Sequence, residues 1–292
     1  MGASKFWMEV AVLPVIIFVG FSGNFLIVVV MNVTVLRRRT YALYLTAIAV
    51  SDTVVLCAHF LYWVNFLSLK FGRRLVIVIT TDVQCIVMNS LPTVSQHVSA
   101  WFMVVIASER FVSVAFPFFA RRFLRLKFAG IITVSLVLIC LLAALNNRQL
   151  YHDNGACYFN AKRLKRAAQF FSFTVVYLPA GSIMILNALI VVILVRQSRS
   201  VSGGSHDEKG ERKVNRVTVM MLTLTFSFLG LSLPHWLIQV IAPRGTMTDS
   251  VQAAYEILSL MYVTNYSINF FLYLLSGGEV RQEIYKLFIV SR

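Results

Sequence analysis

Seven stretches of this chain are apolar for long enough to cross a bilayer, roughly residues 8–36, 41–69, 82–114, 125–145, 167–196, 214–241 and 252–275. Lipid offers the backbone no hydrogen-bond partner, so such runs must close their hydrogen bonds internally, as helices. The expected fold class is an all-α membrane protein, a seven-transmembrane helix bundle in one domain over residues 1–292. Composition agrees, because 58% hydrophobic and 13% charged residues leave too little polar surface for a soluble domain. The first run is too long for a cleavable signal peptide and ends in no small-residue cleavage site, so it is expected to be the first span.

The net charge of +15 does not point to nucleic acid. The basic residues sit in short clusters between apolar runs, at Arg37-Arg38-Arg39, Arg121-Arg122, Lys162-Arg163, Lys165-Arg166 and Arg212-Lys213, as loops flanking spans do. Arg110, the first, third and fifth connections and the tail hold 17 of the 27 Lys and Arg residues, against 10 on the other side. The excess places the N-terminus outside and the C-terminus in the cytoplasm of a cell whose plasma membrane the chain crosses. The Ser/Gly-rich segment 198–210 reads as a flexible connector. After the last span, Ser276-Gly277-Gly278 breaks the helix, and 279–288 reads as a short amphipathic helix. Its Val280, Ile284, Tyr285, Leu287 and Phe288 are able to lie on membrane lipid.

The third run, from Cys85 to the Ser108-Glu109-Arg110-Phe111-Val112 stretch, carries the first functional signal. As one helix, Cys85 to Arg110 rises roughly 37 Å, about a bilayer plus one headgroup layer. A cysteine therefore lies at one membrane face and a Glu-Arg pair at the other. An ionisable pair at the mouth of a span is costly unless it is paired or functional; an anchoring Arg that snorkels to the headgroups is the plainer alternative. Cys57 and Cys140 lie inside apolar runs and read as inert, whereas Cys85 and Cys157 lie at outer edges where a disulfide can persist.

Polar residues inside the spans form a second signal. Asp52 falls near mid-bilayer in span two, with Asn24 of span one at a similar depth. Ser99 stands eleven residues before Arg110 on nearly the same face, and Asn265 and Asn269 of span seven are four apart. A buried Asp must face hydrogen-bonding neighbours. A carboxylate among neutral oxygens also suits a small hard cation, and Asp52 with Ser99 is the expected sodium site; the other reading is a cluster that glues helices together. Pro14, Pro92, Pro179 and Pro234 permit kinks, and Pro234 allows the outer half of span six to pivot.

In order along the chain, these residues resemble the rhodopsin-like (class A) G-protein-coupled receptors over nearly its whole length. Gly23-Asn24, Ala49-Val50-Ser51-Asp52, Lys70-Phe71-Gly72, Glu109-Arg110-Phe111 with Pro117, Pro179, Phe228 with Pro234, and Asn269-Phe270-Phe271-Leu272-Tyr273 follow the family's motifs, and Cys85 and Cys157 match its disulfide partners. Ser108 to Phe118 also resembles the divergent peptide and chemosensory receptors of invertebrates, molluscs in particular. The departures are the missing span-four Trp, Ser232 in place of the span-six Trp, Phe270 in place of the NPxxY proline and Asn187 in place of a span-five Tyr. Pro92 stands where aminergic receptors carry Asp, and Val263 where opsins carry their retinal Lys.

The resemblance implies a receptor that binds a short peptide or small organic molecule within the bundle and activates a heterotrimeric G protein. Glu109, Arg110, Phe111, Asn269 and Tyr273 would form the coupling switch, and Asn24, Asp52, Ser99, Asn265 and Asn269 the sodium or water network. Depth and helix face give the pocket as Pro92, Gln96, His235, Trp236, Gln239 and Tyr262. The outer segments, with 10 basic and 5 acidic residues, lean toward an acidic ligand. The short segment before span one fits a ligand bound inside the bundle. No cofactor is expected beyond a sodium ion. The five histidines match no metal-ligand spacing, which argues against an enzyme. A non-signalling receptor on the same fold stays open; a transporter or channel lacks the expected repeat symmetry and polar stripe.

Overall fold

Helices make up nearly all of the described chain, as apolar runs in lipid must. The computed structural model describes residues 8–72, 81–143, 150–153, 156–159, 173–200, 208–241 and 248–287. Span one is Leu13–Val33, entered through a wide π turn at Met8–Val12. Span two is Thr40–Lys70, span three Asp82–Ala115 and span four Leu126–Ala143. Span five, Leu178–Ser200, follows a second π turn, Phe173–Tyr177, and span six is Glu208–Ile241. Pro179 lies just past that turn; proline gives no N–H to the preceding turn and its ring crowds the carbonyl there, so a widened turn suits it.

Among the described residues, five of these helices are long and apolar enough to cross alone, and Leu126–Leu142 is a shorter apolar helix. The last crossing is a pair, Asp249–Asn265 and Asn269–Ser276, bent by 62°. A loop helix, Pro117–Phe123, joins spans three and four. Strands β1 (Leu150–Asp153) and β2 (Ala156–Phe159) pair antiparallel between spans four and five, with His152 opposite Cys157.

The bundle is apolar on both faces, and the lipid side shows it: Phe25, Ile131 and Ile185 are more than 60% exposed. Inside, Tyr44, Ile48, Phe102, Met103 and Ile106 are fully buried where spans two and three meet. Span one packs on span two, span two on three, span three on five, and span six on seven. Gly20 permits the close approach of span one. A Cβ there would lie 2.5 Å from both the Leu56 Cδ1 of span two and the Ser267 Oγ of span seven.

Three expectations are corrected. Residues 252–275 do not form one continuous span, because the chain breaks at 266–268. The amide of Ser267 bonds Thr264 O at 2.9 Å in a tightened turn, and the carbonyl of Tyr266 accepts instead from Asn24 Nδ2 of span one at 3.0 Å. Second, the connector 198–210 is helical at both ends, span five continuing to Ser200 and span six beginning at Glu208. Third, the surface helix is Gly278–Tyr285, and it turns its apolar side inward: Val280 is buried, Ile284 and Leu287 pack against the core, and Tyr285 stays exposed. Phe288 lies outside the described residues. Gly277 makes this turn possible, since a Cβ there would meet Tyr273 O and Met220 Sδ at 2.6 Å.

Candidate functional site

The polar side chains gather at three depths. At the end of the bundle that carries Arg110, the basic Arg37-Arg38-Arg39 segment turns into span two, whose first residues present three hydroxyls. Glu109 is buried, and both its oxygens are held: Tyr44 Oη donates to Oε1 at 2.9 Å and Thr40 Oγ1 donates to Oε2 at 2.8 Å. Arg110 Nη2 lies 3.8 Å from Glu109 Oε2, with its side chain 13% exposed. That is a loose ion pair, and Arg110 Nε makes no hydrogen bond to another described group. The guanidinium instead lies 5.9 Å from the centre of the Tyr41 ring, within cation–π range. Tyr41 Oη in turn donates to Glu279 Oε2 of the surface helix at 3.1 Å, and Arg39 Nη2 stands 4.0 Å from Glu279 Oε1.

Sequence reasoning found Glu109 and Arg110 but missed Thr40, Tyr41, Tyr44 and Glu279. The available signal was three hydroxyl residues at 40, 41 and 44, of which 40 and 44 lie one turn apart. Phe111 is not in this network; its ring meets Phe116 edge-on at 6.2 Å.

At mid-depth, Asp52 is fully buried and accepts two hydrogen bonds, from Ser99 Oγ to Oδ1 at 2.7 Å and from Asn269 Nδ2 to Oδ2 at 2.6 Å. Spans two, three and seven therefore meet on one carboxylate. The break in span seven makes this possible, because Asn269 starts the second piece and its side chain is redirected by the 62° bend. Asn24 serves Tyr266 rather than Asp52, and its buried Oδ1 makes no hydrogen bond to a described group. Asn265 is buried but gives no hydrogen bond to either Asp52 oxygen among the described contacts. The expected five-residue network is thus three residues in direct contact, with Asn24 a neighbour bracing the bend. Tyr273 is wholly buried and its hydroxyl makes no hydrogen bond to a described group.

Above Asp52, toward the end carrying Cys85, lies a narrow, partly open cleft with room between its walls for about one water-sized group. Of the expected pocket residues it is lined by Gln96, Trp236 and Tyr262. Pro92 is not on its wall. His235 is also off the wall: its ring stacks on Tyr262 at 4.8 Å and 13°, so it braces the aromatic that does line the cleft. The side chain of Gln239 lies outside the described residues. Ser232, noted in the sequence only as a departure, lines the cleft with a buried hydroxyl that makes no hydrogen bond to a described group. Trp236, one turn later, meets Tyr262 edge-on at 5.8 Å.

Cys85 is fully buried and disulfide-bonded, while Cys57 and Cys140 are free thiols. Cys157 lies on β2, and its side chain is outside the described residues. Two other departures acquire contacts. Asn187 Nδ2 donates to Thr225 Oγ1 at 2.7 Å, tying span five to span six deep in the bundle. Phe270 packs against span one, where a Cβ on Gly23 would come within 3.1 Å of it.

Comparison with known proteins places the whole chain. The chain is 24% identical over 295 aligned residues to the B1 bradykinin receptor of Macaca fascicularis, covering 92% of this chain and 79% of that receptor. It is 22% identical over 291 residues to the somatostatin receptor type 5 of Rattus norvegicus, covering 94% of this chain and 76% of that one. The sequence model of the 7 transmembrane receptor (rhodopsin family) matches residues 23–273, from Gly23 through Tyr273, and the chain belongs to that family of membrane receptors.

Proposed function

We propose that this receptor takes an extracellular ligand into the cleft at its Cys85 end and activates a heterotrimeric G protein at its Arg110 end. The basic loops around Arg110 would lie in the cytoplasm, with the N-terminus outside. The relatives are named for bradykinin and somatostatin, and a short peptide is the ligand class that carries over from them. Cys85 and Cys157 would form the disulfide that ties the top of span three to the β1–β2 hairpin.

One observation carries the coupling half of the reading: Glu109 and Arg110 are held within the bundle by span two and, through Tyr41, linked to the surface helix. In this arrangement the guanidinium is nearly buried and cannot meet a partner. Ligand binding that favours an outward swing of span six would release it, and the hydroxyls of Thr40 and Tyr44 define what must be given up. Asn187 with Thr225 keeps spans five and six moving together.

The polar core fits a sodium ion in part. Asp52 and the Ser99 hydroxyl, 2.7 Å apart, are oxygen donors of the right hardness. Asn269 points its amide nitrogen at Asp52, and a cation there requires that amide to present its oxygen instead. An ion or water network bound this way would supply positive or hydrogen-bonding charge that keeps the three spans together.

The test is nucleotide exchange on a panel of heterotrimeric G proteins in membranes containing the receptor, wild type against Arg110→Ala, with pooled short peptides as stimuli. Stimulated exchange that disappears in the variant supports the reading. Stimulated exchange that survives Arg110→Ala contradicts the switch, and a folded surface-expressed receptor that binds peptide without exchange identifies a non-signalling receptor.

A further inference from the structure

The cleft goes deeper at span six than the expected pocket, and its depth has a chemistry of its own. Ser232 is 3% exposed, lines the void and makes no hydrogen bond to another described group. A buried hydroxyl with no protein partner is uncommon, and one on a cleft wall is free to bond a molecule held there. The room beside it follows from the sequence: the bulky residue of this stretch is Trp236, one turn later, and its indole is held edge-on against Tyr262. Gln96 of span three shares the same wall and brings both an amide donor and an amide acceptor.

No formally charged side chain is among the described residues that line the cleft. Below the wall, Asp52 is fully buried, does not line the cleft, and has both oxygens already engaged, one by Ser99, which does reach the wall. An ammonium or carboxylate entering this space would lose its hydration without an opposite charge to meet it. A neutral donor or acceptor would instead complete the hydrogen bonding that Ser232 lacks.

We infer that Ser232 and Gln96 form a deep, narrow polar subsite that receives a small uncharged hydrogen-bonding group of the ligand, the tip of an amide or alcohol, and rejects charged ones. This rests on the reading that the cleft is the ligand site. The lean toward an acidic ligand drawn from the charge of the outer segments would then concern parts of the ligand outside the cleft.

The test uses thiol chemistry and needs no known ligand. Ser232→Cys is placed in a Cys57→Ala, Cys140→Ala background of the full chain in lipid membranes. It is treated with methanethiosulfonates bearing an ethyl, a trimethylammonium-ethyl or a sulfonatoethyl group, with rates normalised to a small free thiol. The expected result is ethyl labelling faster than either charged reagent by at least about tenfold, the factor that a desolvation penalty of roughly 1.4 kcal/mol imposes. Gln96→Cys, on the same wall, should show the same ratio and serves if Ser232→Cys fails to fold. Equal rates for all three reagents overturn the uncharged subsite, and no labelling of either folded variant overturns an accessible cleft. Because the readout is labelling, failure of G-protein activation leaves it intact, and the two results are separable.

Discussion

Tyr44→Phe isolates one hydroxyl in the proposed switch. The ring of Tyr44 is fully buried and lies 5.7 Å from that of Phe102, and phenylalanine keeps that packing. What it removes is the 2.9 Å bond from Oη to Glu109 Oε1. A hydrogen bond to a charged, buried acceptor contributes about 2 kcal/mol, and the oxygen left behind has no replacement from span two. If the structure is the resting arrangement, the variant destabilises it by that amount relative to the released one. Two kcal/mol is roughly a 30-fold change in the ratio of the two. Basal nucleotide exchange, measured per receptor at the surface, should rise, up to that factor if the active fraction starts small. Thr40→Val removes the bond to the other oxygen and should act in the same direction. Since both hydroxyls serve one carboxylate, the double variant should depart from additivity by about 1 kcal/mol. Basal exchange at or below wild type in Tyr44→Phe, with normal expression, would refute the idea that span two restrains Glu109.

Gly20→Ala places a methyl 2.5 Å from Leu56 Cδ1 and Ser267 Oγ, so it should lower the thermal midpoint of the purified receptor by the equivalent of about 1–3 kcal/mol. Gly181→Ala in span five, where a Cβ meets nothing within 4 Å, is the matched control and should not lower it. Asp52→Asn removes the charge while keeping the shape, and any sodium dependence of basal exchange should vanish with it; dependence that persists would move the cation elsewhere. Tyr41→Phe breaks the 3.1 Å bond to Glu279, and backbone hydrogen exchange across Gly278–Tyr285 should speed up, whereas unchanged exchange would show that the surface helix is held by Val280 and its apolar neighbours alone.

The seven crossings were legible because lipid admits few backbone solutions, so length and apolarity alone place helices such as Thr40–Lys70 and Asp82–Ala115 within a residue or two. The break in span seven was not legible. Tyr266, Ser267 and Ile268 are ordinary helix residues, and what opens the chain there is an amide from Asn24, 242 positions away. Asp52 with Ser99 and Asn269 could be matched by depth, since depth is counted along a helix. Asn24 and Asn265 share that depth, yet depth says nothing of rotation: Asn24 turns to Tyr266, and Asn265 makes no described bond to Asp52. The hydroxyls around Glu109 were overlooked for a related reason: tyrosines at the end of a span look like interface residues until the neighbouring helix brings a carboxylate to them. The inward-turned surface helix shows the same limit, since an apolar face on a short helix suits lipid and protein equally well.

In the proposed mechanism the Arg110 end opens by movement of span six when a G protein engages. Spin labels at Arg38 and Val219, both exposed, report that movement, and a pair at Arg38 and Arg125 serves as the reference. Double electron–electron resonance on the receptor with and without nucleotide-free G protein gives both distances in the free-thiol-depleted background. The Arg38–Val219 distance should lengthen by more than the roughly 1–2 Å of a simple interface shift while the reference pair holds still. A bound G protein with both distances unchanged would contradict it.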